Sequence, residues 1–68
     1  MDTETHFWKC AVEGPEHSHE RYGQFLFNLL HTLRPDLANQ IRGTSNDPFY
    51  DNEVIFDFVK WVGENWHV

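Results

Sequence analysis

The longest periodic signal in the chain is a run of apolar residues that recur in steps of three and four. These residues are Tyr22, Phe25, Leu26, Leu29, Leu30 and Leu33. This spacing places them on one face of an α-helix for three turns. The remaining segments can then be read as elements that cover this face. We expect the central helix to span 18–33, with the hydroxyl of Ser18 as its N-cap.

Two residues inside the central helix indicate contacts with its neighbours. Gly23 lowers the stability of a helix by about 1 kcal/mol relative to Ala. A glycine tolerated there indicates that another element approaches closely, and the N-terminal segment is our candidate. Phe27 lies away from the main apolar face, so it is either exposed or covered by that first segment.

The segment before the central helix is compatible with a helix or a strand. Thr3 suits the N-cap of a helix that ends at Gly14 and Pro15. The apolar side of that helix carries Phe7, Trp8, Ala11 and Val12. The same residue types are common in strands. We favour a helix over 3–13, because a lone strand would leave its backbone groups unpaired.

The segment after the central helix begins with a helix breaker. Pro35 disfavours helical geometry in the preceding residue and suits the first position of a new helix. We expect that short helix to span 35–42 and to end at Gly43. The following stretch is rich in turn-forming residues. Phe49 and Tyr50 are expected to pack that loop onto the core.

The last helix is expected over 51–64, with Asp51 as its N-cap. Its predicted inward face consists of Val54, Ile55, Phe58, Trp61, Val62 and Trp66. The sequence therefore predicts a single all-α domain over 1–68, folded as a small compact bundle of about four helices.

Charge and cysteine content limit the classes of function. The chain contains eleven Asp and Glu residues and five Lys and Arg residues. Generic nucleic-acid binding needs an excess of basic residues, so we do not expect it here. Cys10 is the only cysteine, which excludes an internal disulfide. A single thiol suits a reducing compartment, the cytoplasm, although it could also form a bridge between two chains. The sequence holds no apolar run long enough to span a bilayer. It also lacks a phosphate loop, a nucleophile elbow and paired cysteines, so we predict a non-enzyme without a cofactor.

Four residues form a secondary candidate metal site. His6 and Cys10 lie four positions apart and would share one side of a helix, while His17 and His19 lie in the first connector. Their spacing matches no closed structural zinc pattern. A metal-binding protein is accordingly one alternative function.

Three short patterns are the most distinctive in the chain. They are Arg34-Pro35-Asp36-Leu37, Ile41-Arg42-Gly43-Thr44 and Asp47-Pro48-Phe49-Tyr50. Together with Gly23-Gln24 and Asn28, they resemble small uncharacterised bacterial and phage proteins of unknown function, over Arg21 to Trp66. The resemblance implies an all-helical unit and transfers no activity.

Aromatic residues are the strongest functional signal. Three Trp, six Phe and two Tyr in 68 residues either make a single small core bulky or exceed what such a core encloses. Aromatic residues left outside a core often mark an interface. The predicted contact residues are Trp8, Phe27, Trp61 and Trp66. We therefore predict a small acidic protein–protein interaction module, which binds a protein partner or a second copy of itself. The alternative from a different class is an acidic inhibitor or nucleic-acid mimic from a phage or mobile element.

Overall fold

The computed structural model describes residues 2–14 and 21–67. Within these ranges the elements are helix α1 (Thr3–Glu13), helix α2 (Tyr22–Leu33), helix α3 (Pro35–Ile41), the 3₁₀ turn Asn52–Val54 and helix α4 (Ile55–Asn65). The prediction of an all-α bundle of about four helices is confirmed. None of the helices described is both long enough and apolar enough to cross a membrane. Four residues with a predicted role lie outside the described ranges: Pro15, His17, Ser18 and His19.

Helix α1 has the predicted bounds but a different N-cap. The carboxylate of Asp2 accepts a hydrogen bond from the backbone N–H of Thr5 at 2.7 Å, so Asp2 is the cap and Thr3 is the first helical residue. This hydrogen bond lowers the pKa of Asp2, because it favours the charged carboxylate. At the other end, Gly14 adopts a φ of 75° and ends the helix as predicted.

Helix α2 begins later than predicted. Arg21 has extended backbone angles (φ −66°, ψ 154°) and is the N-cap, so the predicted start at Ser18 is wrong. The Arg21 guanidinium donates to the carbonyl oxygen of Phe49. The N–H of Gly23, in the first turn, instead donates to Oδ1 of Asn52 at 3.0 Å. A side chain 29 residues away thus satisfies one of the amides that a helix start leaves without a helical partner.

The close approach predicted at Gly23 comes from the loop before α4, and the prediction of the N-terminal segment as its partner is wrong. A Cβ at Gly23 would lie 2.7 Å from Oδ1 of Asn52 and still closer to the carbonyl oxygen of Pro48. Pro48 itself is almost completely buried. The backbone of the loop therefore crosses α2 where only a glycine leaves room for it.

All four helices contribute to one hydrophobic core. Its buried members are Phe7, Ala11, Leu26, Phe27, Leu30, Leu37, Ala38, Ile41, Phe58, Val62 and Trp66. Val12, predicted on the inner side of α1, is 86% exposed. The inner side of α1 is defined by Phe7 and Ala11, which lie four residues apart, and the next residue points about 100° away.

Helix α3 is one residue shorter than predicted. Pro35 occupies its first turn as expected. Arg42 leaves the helical region with a ψ of 128°, and Gly43 then adopts a φ of 77°. In the loop that follows, Phe49 packs against the core, whereas Tyr50 is 82% exposed. The expectation that Tyr50 packs onto the core is therefore wrong.

The predicted last helix consists of two elements. Asp51 caps the 3₁₀ turn, where its carboxylate accepts from the N–H of Glu53 at 2.8 Å. Helix α4 begins only at Ile55 and continues to Asn65. Of its predicted inward residues, Phe58, Val62 and Trp66 are buried, while Val54, Ile55 and Trp61 are half-buried.

Candidate functional site

The four predicted contact residues do not form one exposed surface. Phe27 and Trp66 belong to the core, at 5% and 6% exposure. Trp8 and Trp61 are half-buried. Trp8 and Trp66 both pack on the ring of Phe7, with centroid distances of 4.8 and 5.4 Å. We therefore assign both rings to the core, and Phe27 in addition lines the groove described below.

The candidate metal ligands are only partly described. His6 Nε2 and Cys10 Sγ lie 3.6 Å apart on α1, on the shared side that their spacing predicts. His17 and His19 lie outside the described residues. Within residues 2–14 and 21–67, no group of three or more His, Cys, Asp and Glu side chains is arranged to hold a metal ion.

A groove of about 410 Å³ lies between α2 and the loop after α3. We call it the aromatic groove. It is lined by Phe27, Asn28, His31, Arg42, Asp47, Phe49 and Tyr50. This volume lies within the range of about 300–1,000 Å³ that is typical of small-molecule binding pockets.

Three aromatic rings form an apolar wall along the groove. The rings of Phe27 and Phe49 pack edge to face, with centroids 5.5 Å apart and planes at 87°. Tyr50 continues the series, 4.7 Å from Phe49 at 69°. Because Phe27 anchors this wall in the core, the exposed ring of Tyr50 is held at the rim by contact rather than left free in a loop.

The loop that carries Phe49 and Tyr50 is held by two anchors. The Asp47 carboxylate accepts from the N–H of Gly43 at 2.8 Å and from the N–H of Phe49 at 2.9 Å. The Arg21 guanidinium donates to the carbonyl oxygen of Phe49. These bonds close the loop on itself and tie it to the start of α2, so the groove is formed before any ligand arrives.

Arg42 supplies the cation of the aromatic groove. Its guanidinium carbon lies 5.5 Å from the centroid of the Phe27 ring, which is cation–π geometry. The side chain is exposed. His31 and Asn28 lie along the same wall on α2. The groove thus combines aromatic faces, which suit an apolar or planar group, with a guanidinium, which suits a carboxylate.

Sequence reasoning missed Phe56. At 89% exposure it is the most exposed of the large hydrophobic residues described. Its neighbour Phe58 is fully buried, and the two residues lie about 200° apart around α4. The signal was present in the sequence, since the helical positions of the inward face place Phe56 on the opposite side.

The comparisons with known proteins identify no similar protein. No family model, no curated protein and no solved structure matches the chain. The resemblance to small bacterial and phage proteins stays a prediction.

Proposed function

We propose that the chain is a small, acidic, non-enzymatic protein–protein interaction module that binds a segment of a partner protein in the aromatic groove. The observation that carries the proposal is the exposure of Tyr50 and Arg42 at the rim of a groove whose Phe27 ring is fixed in the core. Exposed aromatic and arginine side chains that converge on one concavity are typical of the residues that dominate binding energy at interfaces.

The chemistry of the groove favours an apolar or aromatic side chain next to a carboxylate. The rings of Phe49 and Tyr50 offer contact area to an apolar group. The guanidinium of Arg42 can donate two parallel hydrogen bonds to a carboxylate. Asp47 already accepts from two backbone amides, which satisfies part of its hydrogen-bonding capacity and orients it within the loop.

The net charge of −6 affects the rate at which such a partner would associate. An acidic segment is repelled at long range, so the association rate should rise with salt as the repulsion is screened. The contact itself depends on local groups in the groove. We place the module in the cytoplasm, where the half-buried free thiol of Cys10 would remain reduced.

A displayed library of short random peptides, selected on the intact protein, tests this proposal. We expect the selected peptides to combine an aromatic or large apolar residue with an acidic residue. Their affinity should fall about tenfold for Tyr50→Ala and for Arg42→Gln, a loss typical of a well-placed interface residue.

The matched control is Phe56→Ala, which removes an equally exposed ring from α4. Selected peptides should bind this variant as they bind the parent protein. Peptides that bind Tyr50→Ala and Arg42→Gln with unchanged affinity would show that the groove is not the binding surface.

A further inference from the structure

The three arginines of the chain differ in what their guanidinium groups contact. Arg21 and Arg34 each donate to a backbone carbonyl oxygen of a distant segment, 28 and 32 residues away. The guanidinium of Arg42 forms no hydrogen bond or ion pair with any residue that the structure describes, and it lies over the ring of Phe27 along the aromatic groove. Its donors are therefore open to a ligand, in a chain with eleven acidic and five basic side chains.

Asp47 adds a negative charge to the same groove. One carboxylate oxygen accepts from the N–H of Gly43 and the other from the N–H of Phe49. A carboxylate has about four acceptor sites, so about two remain after these bonds. Asp47 and Arg42 form no ion pair with each other within the described residues. The groove thus holds one fixed anion and one cation, each with capacity for an external partner.

Aromatic rings supply the third component of the groove. The centroid of Phe49 lies 5.5 Å from that of Phe27 and 4.7 Å from that of Tyr50. Phe49 is half-buried and Tyr50 is exposed, so the outer part of this wall can contact a further planar ring. Sites for small ligands combine apolar walls with a few fixed polar groups in this way.

These three components are complementary to a molecule that carries both charges beside a ring. A free aromatic amino acid has a carboxylate that can accept two parallel hydrogen bonds from a guanidinium. It also has an ammonium group that can donate to a carboxylate. Because this zwitterion is neutral overall, the net charge of −6 does not repel it at long range, whereas it repels an aromatic acid without the ammonium group. Charge therefore favours the amino acid over a simple aromatic acid.

We propose that the aromatic groove binds a free aromatic amino acid, with its carboxylate on Arg42, its ammonium group on Asp47 and its ring against Phe49 and Tyr50. A ligand of this size in an open groove should dissociate in the range from about 100 µM to 10 mM. The proposal goes beyond the protein partner and does not rest on it. Because both ligands would use the same groove, they should compete.

Titration of the full chain with L-phenylalanine, followed by NMR of the backbone amides, tests the proposal. The amide resonances of Gly43 and Phe49 should move and saturate, because both amides bond to Asp47. The amide of Phe56, which lies outside the groove on α4, should stay fixed. L-Leucine should bind at least about threefold more weakly, because it lacks the ring. The absence of saturable movement in the groove, or equal affinity for the two amino acids, would overturn the proposal.

Ligand analogues test the two charges separately. Phenylethylamine lacks the carboxylate, and phenylpropionate lacks the ammonium group. Each should bind at least about tenfold more weakly than L-phenylalanine, a loss typical of hydrogen bonds to charged groups. Asp47 is tested through the ligand because its substitution would also remove the acceptor of two loop amides. Either analogue binding as tightly as L-phenylalanine would contradict recognition of the zwitterion.

A variant of the protein tests the role of the cation. Arg42→Gln should bind L-phenylalanine at least about tenfold more weakly, and its affinity for phenylethylamine should be unchanged, because that ligand has no carboxylate. The matched control is Lys60→Gln, which removes an exposed positive charge from α4 and should bind like the parent. Both variants should keep the helical circular dichroism of the parent. Parental affinity of Arg42→Gln for L-phenylalanine would overturn the assignment.

The outcome is separable from that of the peptide selection. Displacement of selected peptides by L-phenylalanine would support both proposals. Selected peptides that bind the groove, together with no binding of the free amino acid, would overturn only the present proposal. Binding of the amino acid without any selected peptide would overturn only the protein partner. If both ligands bind without competing, the amino acid lies outside the groove and the present proposal is wrong.

Discussion

Two helical glycines in this small protein have opposite surroundings. Gly23, near the start of α2, is buried beneath the carbonyl of Pro48 and the amide of Asn52, with no room for a Cβ. Gly63, near the end of α4, is exposed, and the described residues leave space around it. The same residue type, with the same cost of about 1 kcal/mol in a helix, is explained by packing within the chain in one case only.

The comparison shows that the role of a glycine inside a helix is understood from the atoms that surround it. Gly23 joins two segments that are distant in sequence, since its N–H donates to Asn52 and its bare Cα admits the backbone of Pro48. It therefore fixes the loop that carries the aromatic groove. Gly63 likewise lacks a side chain, but no atom of the described part of the chain fills the space beside it.

The largest expected effect in this comparison belongs to Gly23→Ala. The added methyl group would meet a backbone carbonyl that belongs to a buried loop, so either the loop or α2 must shift. Overpacking of this kind typically costs about 1–3 kcal/mol of unfolding free energy. Urea unfolding followed by circular dichroism measures it.

The matched control is Gly63→Ala. That substitution should leave stability unchanged or raise it by up to about 1 kcal/mol, because alanine favours the helix and the site is open. If the two alanine variants have the same stability, the contrast between the glycines is wrong.

A smaller loss is expected for Asn52→Ala, which removes the amide oxygen that accepts from Gly23. Loss of a helix cap costs about 0.5–2 kcal/mol. Asn39→Ala, at an exposed position on α3, serves as the control and should change stability little. In hydrogen exchange, the Gly23 amide of Asn52→Ala should exchange faster than in the parent. Unchanged protection of that amide would show that Asn52 is not its acceptor in solution.

The smallest effect is expected at the exposed ion pair that precedes and begins α3. The Arg34 guanidinium holds Asp36 through two hydrogen bonds of 3.0 and 2.9 Å, and they lower the pKa of Asp36 from 3.8 to about 2. A lowered pKa stabilises the fold above the unfolded-state pKa, and this contribution is lost as pH falls from about 4 to about 2.

Asp36→Asn should therefore lower stability slightly at pH 7 and reduce the acid sensitivity of unfolding between about pH 4 and 2. Thermal unfolding at a series of pH values, compared between the variant and the parent, measures both changes. Parallel stability curves across this pH range would show that the ion pair does not contribute.

Local signals in the sequence predicted the helices well. The apolar period identifies α2, Pro35 begins α3, and Gly14 and Gly43 end α1 and α3 with positive φ angles. Each of these features depends on residues within a few positions of one another. The all-α fold could therefore be predicted, apart from the start of α2 and the 3₁₀ turn before α4.

Contacts between distant segments could not be predicted in the same way. The loop before α4, rather than the N-terminal segment, covers Gly23 and caps α2. The residues around Gly23 in the sequence do not indicate which of these two segments will cover it. Burial of Phe27 likewise depends on Phe49, which packs against it from 22 positions later. The exposed position of Phe56 could have been inferred, because it follows from the helical period once Phe58 is assigned to the core.

The most direct test of the account is the unfolding free energy of Gly23→Ala and of Gly63→Ala, each measured against the parent protein in one set of urea titrations. We predict that Gly23→Ala is about 1–3 kcal/mol less stable than the parent, because its methyl group meets the loop backbone, and that Gly63→Ala is at least as stable as the parent. A Gly23→Ala variant as stable as the parent, or a Gly63→Ala variant that loses as much stability as Gly23→Ala, would contradict the account.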